Sequence, residues 1–344
     1  MLTVDLRSDT VTQPTEAMYE AMRNAPLGDD VLGDEPTVGR LQEIAAKITG
    51  KEAALYVPSG TMSNQIALAT HCQPGDAALF EDECHMVFYE SGSPATIAQV
   101  MTRMVPSERG IMDPSEIEKR VMVKSIHTPG TTLLCLENTH NRAGGRIVPM
   151  EMMRAYRALS DKHGLKVHLD GARMFNATVA LGIQPSEIAE TCDTVSICLS
   201  KGLGSPVGSV LCGPANFIAK AKYVRKRLGG GMRQAGVIAA CGIVSLETMI
   251  DRLSEDHARA KRLGTALQGL PGTHVPMDWV ETNFVMVTTD RPAADWLKPL
   301  AERGIRAMNA APNRIRLVLH HQISDAMVDQ SVGAFHEVAE LLKA

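Results

Sequence analysis

Two apolar, β-rich runs of this chain each end on a residue able to do chemistry. LKVHLD (165–170) closes on Asp170 and is followed at once by Gly171, and DTVSICLS (193–200) leads into Lys201, Gly202, Leu203 and Gly204. In open α/β sheets, ligands sit beyond the carboxyl ends of the strands, so both residues are expected at the edge where a site forms. A lysine hemmed by glycines at the end of a buried strand packs poorly. Desolvation of such an amine would free it to attack a carbonyl carbon. Asp170 alone would serve equally well as a helix N-cap. Taken together, the pair is what a pyridoxal 5′-phosphate site needs: a lysine for C4′ and a carboxylate that keeps the pyridine nitrogen protonated.

Such a cofactor also needs phosphate donors. YVPSGTMSNQIAL (56–68) reads as strand, turn and helix, with Ser59, Gly60 and Thr61 at the helix start, where backbone N–H groups and hydroxyls form an anion site. Ser200, adjoining the lysine, is counted with the cofactor-binding residues. Glycines 229–231 precede Arg233, with Lys226 just upstream; these make either a second anion site or a flexible turn. His85 opens a short helix after a strand, where its ring could stack on a cofactor or act as a base. His127 lies in the loop before the strand 131–137, and His140 just past that strand's end. Arg173 and Arg316 could clamp a carboxylate with the guanidinium fork. Strand alternation puts Arg314 on the same face as Arg316, so the pattern does not choose between them.

The elements that position these residues alternate short buried strands with helices, the signature of a mostly parallel sheet wrapped by helices. Strands are expected at 53–57, 76–80, 131–137, 165–170, 193–200 and 207–213, and helices at 36–49, 63–72, 150–163, 214–227 and 233–249. The strands 283–289 and 314–320, with helices at 292–302 and 324–342, have a different texture. They suggest a large domain over 1–250 and a smaller α+β domain over 251–344.

Hydrophobic residues make up 44% and charged residues 22% of 344, and the formal net charge is −4. The charges are mixed along the chain, which argues against nucleic-acid and membrane partners. No apolar run approaches the ~20 residues of a membrane span, and the N-terminus lacks the layout of a secretion signal. Seven cysteines occur without a CxxC, as expected of buried thiols in a reducing cytoplasm rather than disulfides or a metal site.

Several motifs resemble one family, the L-threonine aldolases. They are VDLRSDTVTQPT, SGTMSN, ECHMVFYESG, LENTHNRAGG, VHLDGARMFNA, CLSKGLGSPVGS and GGGMRQAG, in order from Asp5 to about His320. The resemblance implies the α/β fold of fold-type I pyridoxal-phosphate enzymes and cleavage of a β-hydroxy-α-amino acid to glycine and an aldehyde. It implies Lys201 as the Schiff-base lysine, Asp170 as the pyridinium partner, His85 as the stacking ring, and Gly60 and Thr61 at the phosphate. Ser8, Arg173 and Arg316 would hold the substrate carboxylate, and His127 would lie near its hydroxyl. Lys226 and Arg233 would reach a neighbouring subunit's phosphate, which implies a homodimer at least and a homotetramer by pairing. The stretch between His140 and Ile147 is longer than the family's usual form. Rival readings are another reaction of the same cofactor, a dinucleotide site at Gly202, Gly204 and Gly208, and a non-enzymatic binding protein. Pro206 disfavours the dinucleotide site, because it breaks the helix a pyrophosphate would need.

Overall fold

The computed structural model describes residues 3–343. Its centre is a seven-stranded sheet in the order Ala53–Val57, Ser209–Gly213, Thr194–Cys198, Lys166–Asp170, Thr131–Glu137, Ala77–Glu81, Met101–Val105. Ser209–Gly213 runs antiparallel to both of its neighbours, and the remaining pairings are parallel. Thr194–Cys198 and Ser209–Gly213 are buried at every position. Such strands are covered on both faces, which is why they read as continuous apolar runs. Each fully buried Leu, Ile or Val contributes roughly 1.5–3 kcal/mol of transfer free energy. Parallel register gathers the carboxyl ends at one edge: Glu137 lies beside Asp170, and Asp170 beside Ser196.

A second core surrounds a four-stranded sheet ordered Thr273–His274, Phe284–Thr289, Arg314–Val318, Met308–Ala311. Leu263, Trp296, Leu317 and Phe335 belong to it. Two features depart from the sequence reading. The strand Val4–Asp5 pairs in parallel with Ile305–Arg306, and Val4 and Leu6 join this second core. The N-terminal segment therefore crosses to the C-terminal unit. The changeover between cores also falls inside the helix Leu253–Gln268 rather than before it. Leu253 packs in the first core, whereas Ala260, Leu263 and Leu267 pack in the second.

The loop after Thr131–Glu137 bridges the two units. His140 and Arg146 pair as an isolated bridge, and the turn between them uses Gly144 at φ 82° and Gly145 at φ 74°. A Cβ on Gly144 would meet Met286 Cγ at 2.8 Å, and one on Gly145 would meet Thr282 Oγ1 at 2.7 Å. Both the left-handed conformation and the close approach to the small sheet exclude larger residues there. Among the described residues no helix is long and apolar enough to cross a membrane. All seven cysteines are buried free thiols.

Candidate active site

A cavity of about 460 Å³ opens between the carboxyl edge of the large sheet and the small sheet. Ser8, His85, Arg173, Lys201 and Arg316 all line it. Asp170 lies buried beneath, at the end of its strand. Its Oδ1 accepts from the Ala172 N–H at 3.1 Å, and its Oδ2 accepts from Asn64 Nδ2 at 2.8 Å. Burial pushes its pKa up, but the His85 ring, the Lys201 amine and the Asn64 amide outweigh burial and hold it below the usual carboxylate range. A carboxylate kept ionised in this way can hold a proton on a ring nitrogen beside it.

His85 begins the helix His85–Phe88, and its backbone N–H donates to Glu137 Oε2 at 2.7 Å. Its Nδ1 lies 3.1 Å from Glu90 Oε1 and 4.0 Å from Asp170 Oδ2. Burial opposes charging the ring, yet the Glu90 and Asp170 carboxylates outweigh it and raise the His85 pKa. Glu90 is buried and accepts from Asn64 Nδ2 at 2.9 Å and from Gln65 Nε2 at 2.6 Å.

These bonds fix the proton positions of a whole chain of groups. Asn64 donates from Nδ2 to both Glu90 and Asp170, so its Oδ1 must accept. The His168 ring, 3.2 Å from that oxygen, therefore carries its proton on Nε2. His168 Nδ1 then accepts from the Thr194 hydroxyl at 2.9 Å, and that oxygen accepts from His71 Nε2 at 2.9 Å. Burial keeps both rings neutral, with the His168 pKa lowered to about 4 and that of His71 to about 3.

Arg173 differs from its expected role. Its Nε and Nη2 bind Asp9 at 2.7 and 2.6 Å, and only Nη1 turns to Asn141 Oδ1 at 3.3 Å. The fork that was to hold a substrate carboxylate already holds Asp9, so Arg173 can offer one nitrogen at most. Burial pushes the Asp9 pKa up, but Arg173 and Lys201 outweigh it and bring it to about 2. Arg316 has no carboxylate partner among the described residues. It donates to the Arg7 carbonyl at 3.2 Å and to Asn141 Oδ1 at 3.4 Å. The hydroxyl of Ser8 accepts from Thr10 Oγ1 at 2.9 Å.

The turn at Ser59, Gly60 and Thr61 caps the helix Gly60–His71, and Ser59 Oγ accepts from the Met62 N–H. A Cβ on Gly60 would meet Cys198 Sγ at 2.8 Å. The helix N-terminus is thus pressed against the end of the strand that leads through Ser200 to Lys201, where a phosphate would be held by free N–H groups. Lysine amine, ionised carboxylate, histidine ring and phosphate-sized helix terminus occupy one edge, and this set fits pyridoxal phosphate.

Three expected site residues are not brought to this cavity by their own chain. His127 is exposed in the loop before Thr131–Glu137, at the amino end of that strand and so at the opposite edge of the sheet. Its expected place beside the substrate hydroxyl is not met within one chain, because a seven-residue strand separates the loop from the site edge. Lys226 and Arg233 are exposed, and Arg233 pairs with Asp29 at 2.9 Å. His140 is a buried partner of Glu81, 2.7 Å away. Asp9, Asn64, Glu90, Glu137 and Asn141 were not anticipated. Glu90 and Asp9 carried a signal as acids near assigned positions, and Glu137 as the acid that ends the readable strand 131–137.

An α/β sheet edge that gathers a lysine, a buried carboxylate and a histidine around one cavity has the make-up of an enzyme active site. The family model for beta-eliminating lyases matches residues 5–291. The low-specificity L-threonine aldolase 1 of Arabidopsis thaliana is 46% identical over 345 residues, covering 98% of this chain and 96% of that protein. The Escherichia coli K12 low-specificity L-threonine aldolase is 40% identical, covering 93% and 95%. A solved structure of the Leishmania major threonine aldolase superposes with a TM-score of 0.83 at 17% identity, covering 98% of each chain. The chain belongs to the low-specificity L-threonine aldolases, within the beta-eliminating lyase family.

Proposed function

We propose that this protein is a pyridoxal-phosphate-dependent aldehyde lyase that splits L-threonine, L-allo-threonine and related β-hydroxy-α-amino acids into glycine and an aldehyde. The observation that carries the reading is Lys201 and buried, ionised Asp170 at adjoining strand ends, opening into a cavity where Arg316 lacks a carboxylate partner. When bound at Lys201, the cofactor supplies the electron sink for the carbanion left on Cα. Asp170 holds the proton on the ring nitrogen, and Asn64 keeps that carboxylate in place. Arg316 and Ser8 would take the substrate carboxylate, which fixes the orientation of the bonds at Cα. His85 Nδ1 lies against Glu90, and the neutral ring that donates from Nδ1 to that carboxylate would leave Nε2 to accept the β-hydroxyl proton, directly or through a water.

The active unit is a homodimer at least, paired into a homotetramer, with the exposed Lys226 and Arg233 completing a neighbour's phosphate site and the His127 loop reaching a neighbour's substrate. The buried free cysteines and the absence of a membrane-spanning helix among the described residues support a cytoplasmic protein of amino-acid metabolism that forms glycine. Incubation of the cofactor-loaded protein with L-threonine and L-allo-threonine tests the reading. Equimolar glycine and acetaldehyde are expected. Ammonia with 2-oxobutanoate would assign β-elimination instead. Mixed Lys201→Ala and Arg233→Ala chains should regain activity in hybrids, and inactive hybrids would return Arg233 to its own subunit.

A further inference from the structure

The strand Arg314–Val318 turns two guanidinium groups into the cavity, where one α-carboxylate needs only one. Arg314 and Arg316 pair with Thr288 and Met286 of the neighbouring strand. Being two residues apart, they share a face and are spaced by roughly 6–7 Å along the strand. Both line the cavity that holds Lys201. Among the described residues Arg316 meets Asn141, the Arg7 carbonyl, Met308 and the face of Phe284. Arg314 has no hydrogen bond or ion pair among the described residues, and its guanidinium rests over the Trp279 ring at 5.2 Å.

The acids nearby are already engaged. Glu83 accepts from Arg142 at 2.8 and 3.3 Å, and Glu81 is held by His140 and Ser107. Asp82 is hydrogen-bonded to Glu81, and burial together with Glu81 and Glu83 raises its pKa to about 6. It sits with Arg109 and Trp279 in an adjoining hollow of about 390 Å³, which shares Arg142, Met286 and Arg314 with the main cavity. The space beyond the reacting carbons is therefore larger than a methyl group fills, and a half-buried cation with no acidic partner among the described residues stands in it. An exposed arginine needs no partner, but one in the wall of a substrate cavity is an anion site when paired geometry is available.

Resting on the function proposed above, we infer that Arg314 is a second carboxylate subsite. It takes the far end of the β-substituent in β-hydroxy-α-amino acids that carry a terminal carboxylate a few carbons from the hydroxyl. Cleavage of such a substrate breaks Cα–Cβ, moves the hydroxyl proton to the base, returns a proton to Cα, and yields glycine and an ω-oxo acid. No oxidant or further reactant is required.

The test separates this subsite from the reaction itself. Calorimetry on the cofactor-loaded protein compares L-2-aminoadipate with L-norleucine, which has a methyl group in place of the distal carboxylate. Aminoadipate should bind about tenfold tighter or more, as expected of one charge-assisted pair. Arg314→Gln should bring the two affinities within about twofold of each other, and Arg314→Lys should restore part of the preference. Equal affinities in the wild type, or a preference that survives in Arg314→Gln, would overturn the subsite. Loss of norleucine binding in Arg314→Gln, with binding retained in Arg316→Gln, would also overturn it by making Arg314 the α-carboxylate partner. In parallel, glycine is condensed with 4-oxobutanoate, butanal or acetaldehyde. Failure with all three aldehydes rejects the aldolase reading alone, while a butanal rate matching that of 4-oxobutanoate rejects the subsite alone.

Discussion

The wall built by the large sheet and the wall built by the small sheet treat their polar groups differently. On the first, Asp170, Glu90, Asn64, His168 and His85 are joined in one chain of hydrogen bonds, with Asn64 fixing the tautomer of His168. On the second, Arg314 and Arg316 face the same cavity without a carboxylate between them. A fully satisfied buried network is rigid and costly to disturb. Unpaired guanidinium groups are suited to a partner that arrives and leaves. The first wall is built for a ligand that stays, and the second for one that is exchanged each turnover. Arg173 stands between them, fixed by Asp9 as firmly as the first wall though it borders the second.

The difference can be broken from the first wall most severely. Asp170→Asn should lower kcat on the order of 10⁴-fold while cofactor still binds, as removal of a buried charged partner does in other covalent catalysts. Steady-state kinetics with cofactor absorbance checks this, and unchanged turnover would remove Asp170 from its role.

Asp9→Asn leaves the buried Arg173 charge uncompensated, which should cost about 3–5 kcal/mol in urea unfolding. In the wild type the Asp9 pKa falls from 3.8 to about 2 on folding. The stabilisation, about 2 kcal/mol, is complete above pH ~4 and is lost as pH falls through about 2.

Arg316→Ala, on the exchanging wall, should leave unfolding nearly unchanged and lower kcat/KM for threonine by about 10- to 100-fold, mainly through KM. A stability loss as large as that of Asp9→Asn would erase the distinction between the walls.

The smallest effect concerns His168, whose folded pKa is lowered from 6.5 to about 4. As pH falls from 6.5 towards 4, the unfolded chain gains a proton that the folded chain refuses, so stability should decline by up to about 3 kcal/mol. His168→Gln should cost about 1 kcal/mol at neutral pH and flatten that decline. Denaturation series at several pH values would show an unaltered slope if His168 were not the titrating group.

What could be read in advance follows the same division. Strands such as Thr131–Glu137 were legible because burial on both faces leaves an uninterrupted apolar run. Met101–Val105, at the sheet edge and largely exposed, has no such run and was missed. Lys201 and Asp170 were legible because each ends a readable strand beside glycine. Asp9 and Arg173 are 164 residues apart in sequence, and pairing across that distance leaves no local pattern. The Asp9 partner, which leaves one Arg173 nitrogen toward Asn141, was not legible for that reason. Asn64 looked like an ordinary helix residue, and only the sheet's register brings it beneath Asp170. His127, Lys226 and Arg233 lie exposed and away from their own chain's cavity, with Arg233 paired to Asp29, so a single chain does not reveal their purpose.

The most direct test is where the cofactor attaches. The purified protein is loaded with pyridoxal phosphate, reduced with borohydride, digested and mapped by mass spectrometry. The pyridoxyl group should be found on the peptide containing Lys201, and Lys201→Ala should keep the fold yet lose the label, the visible absorbance band and threonine cleavage together. Labelling of a different lysine, or a Lys201→Ala protein that still cleaves threonine, would contradict the assignment of this sheet edge as the active site.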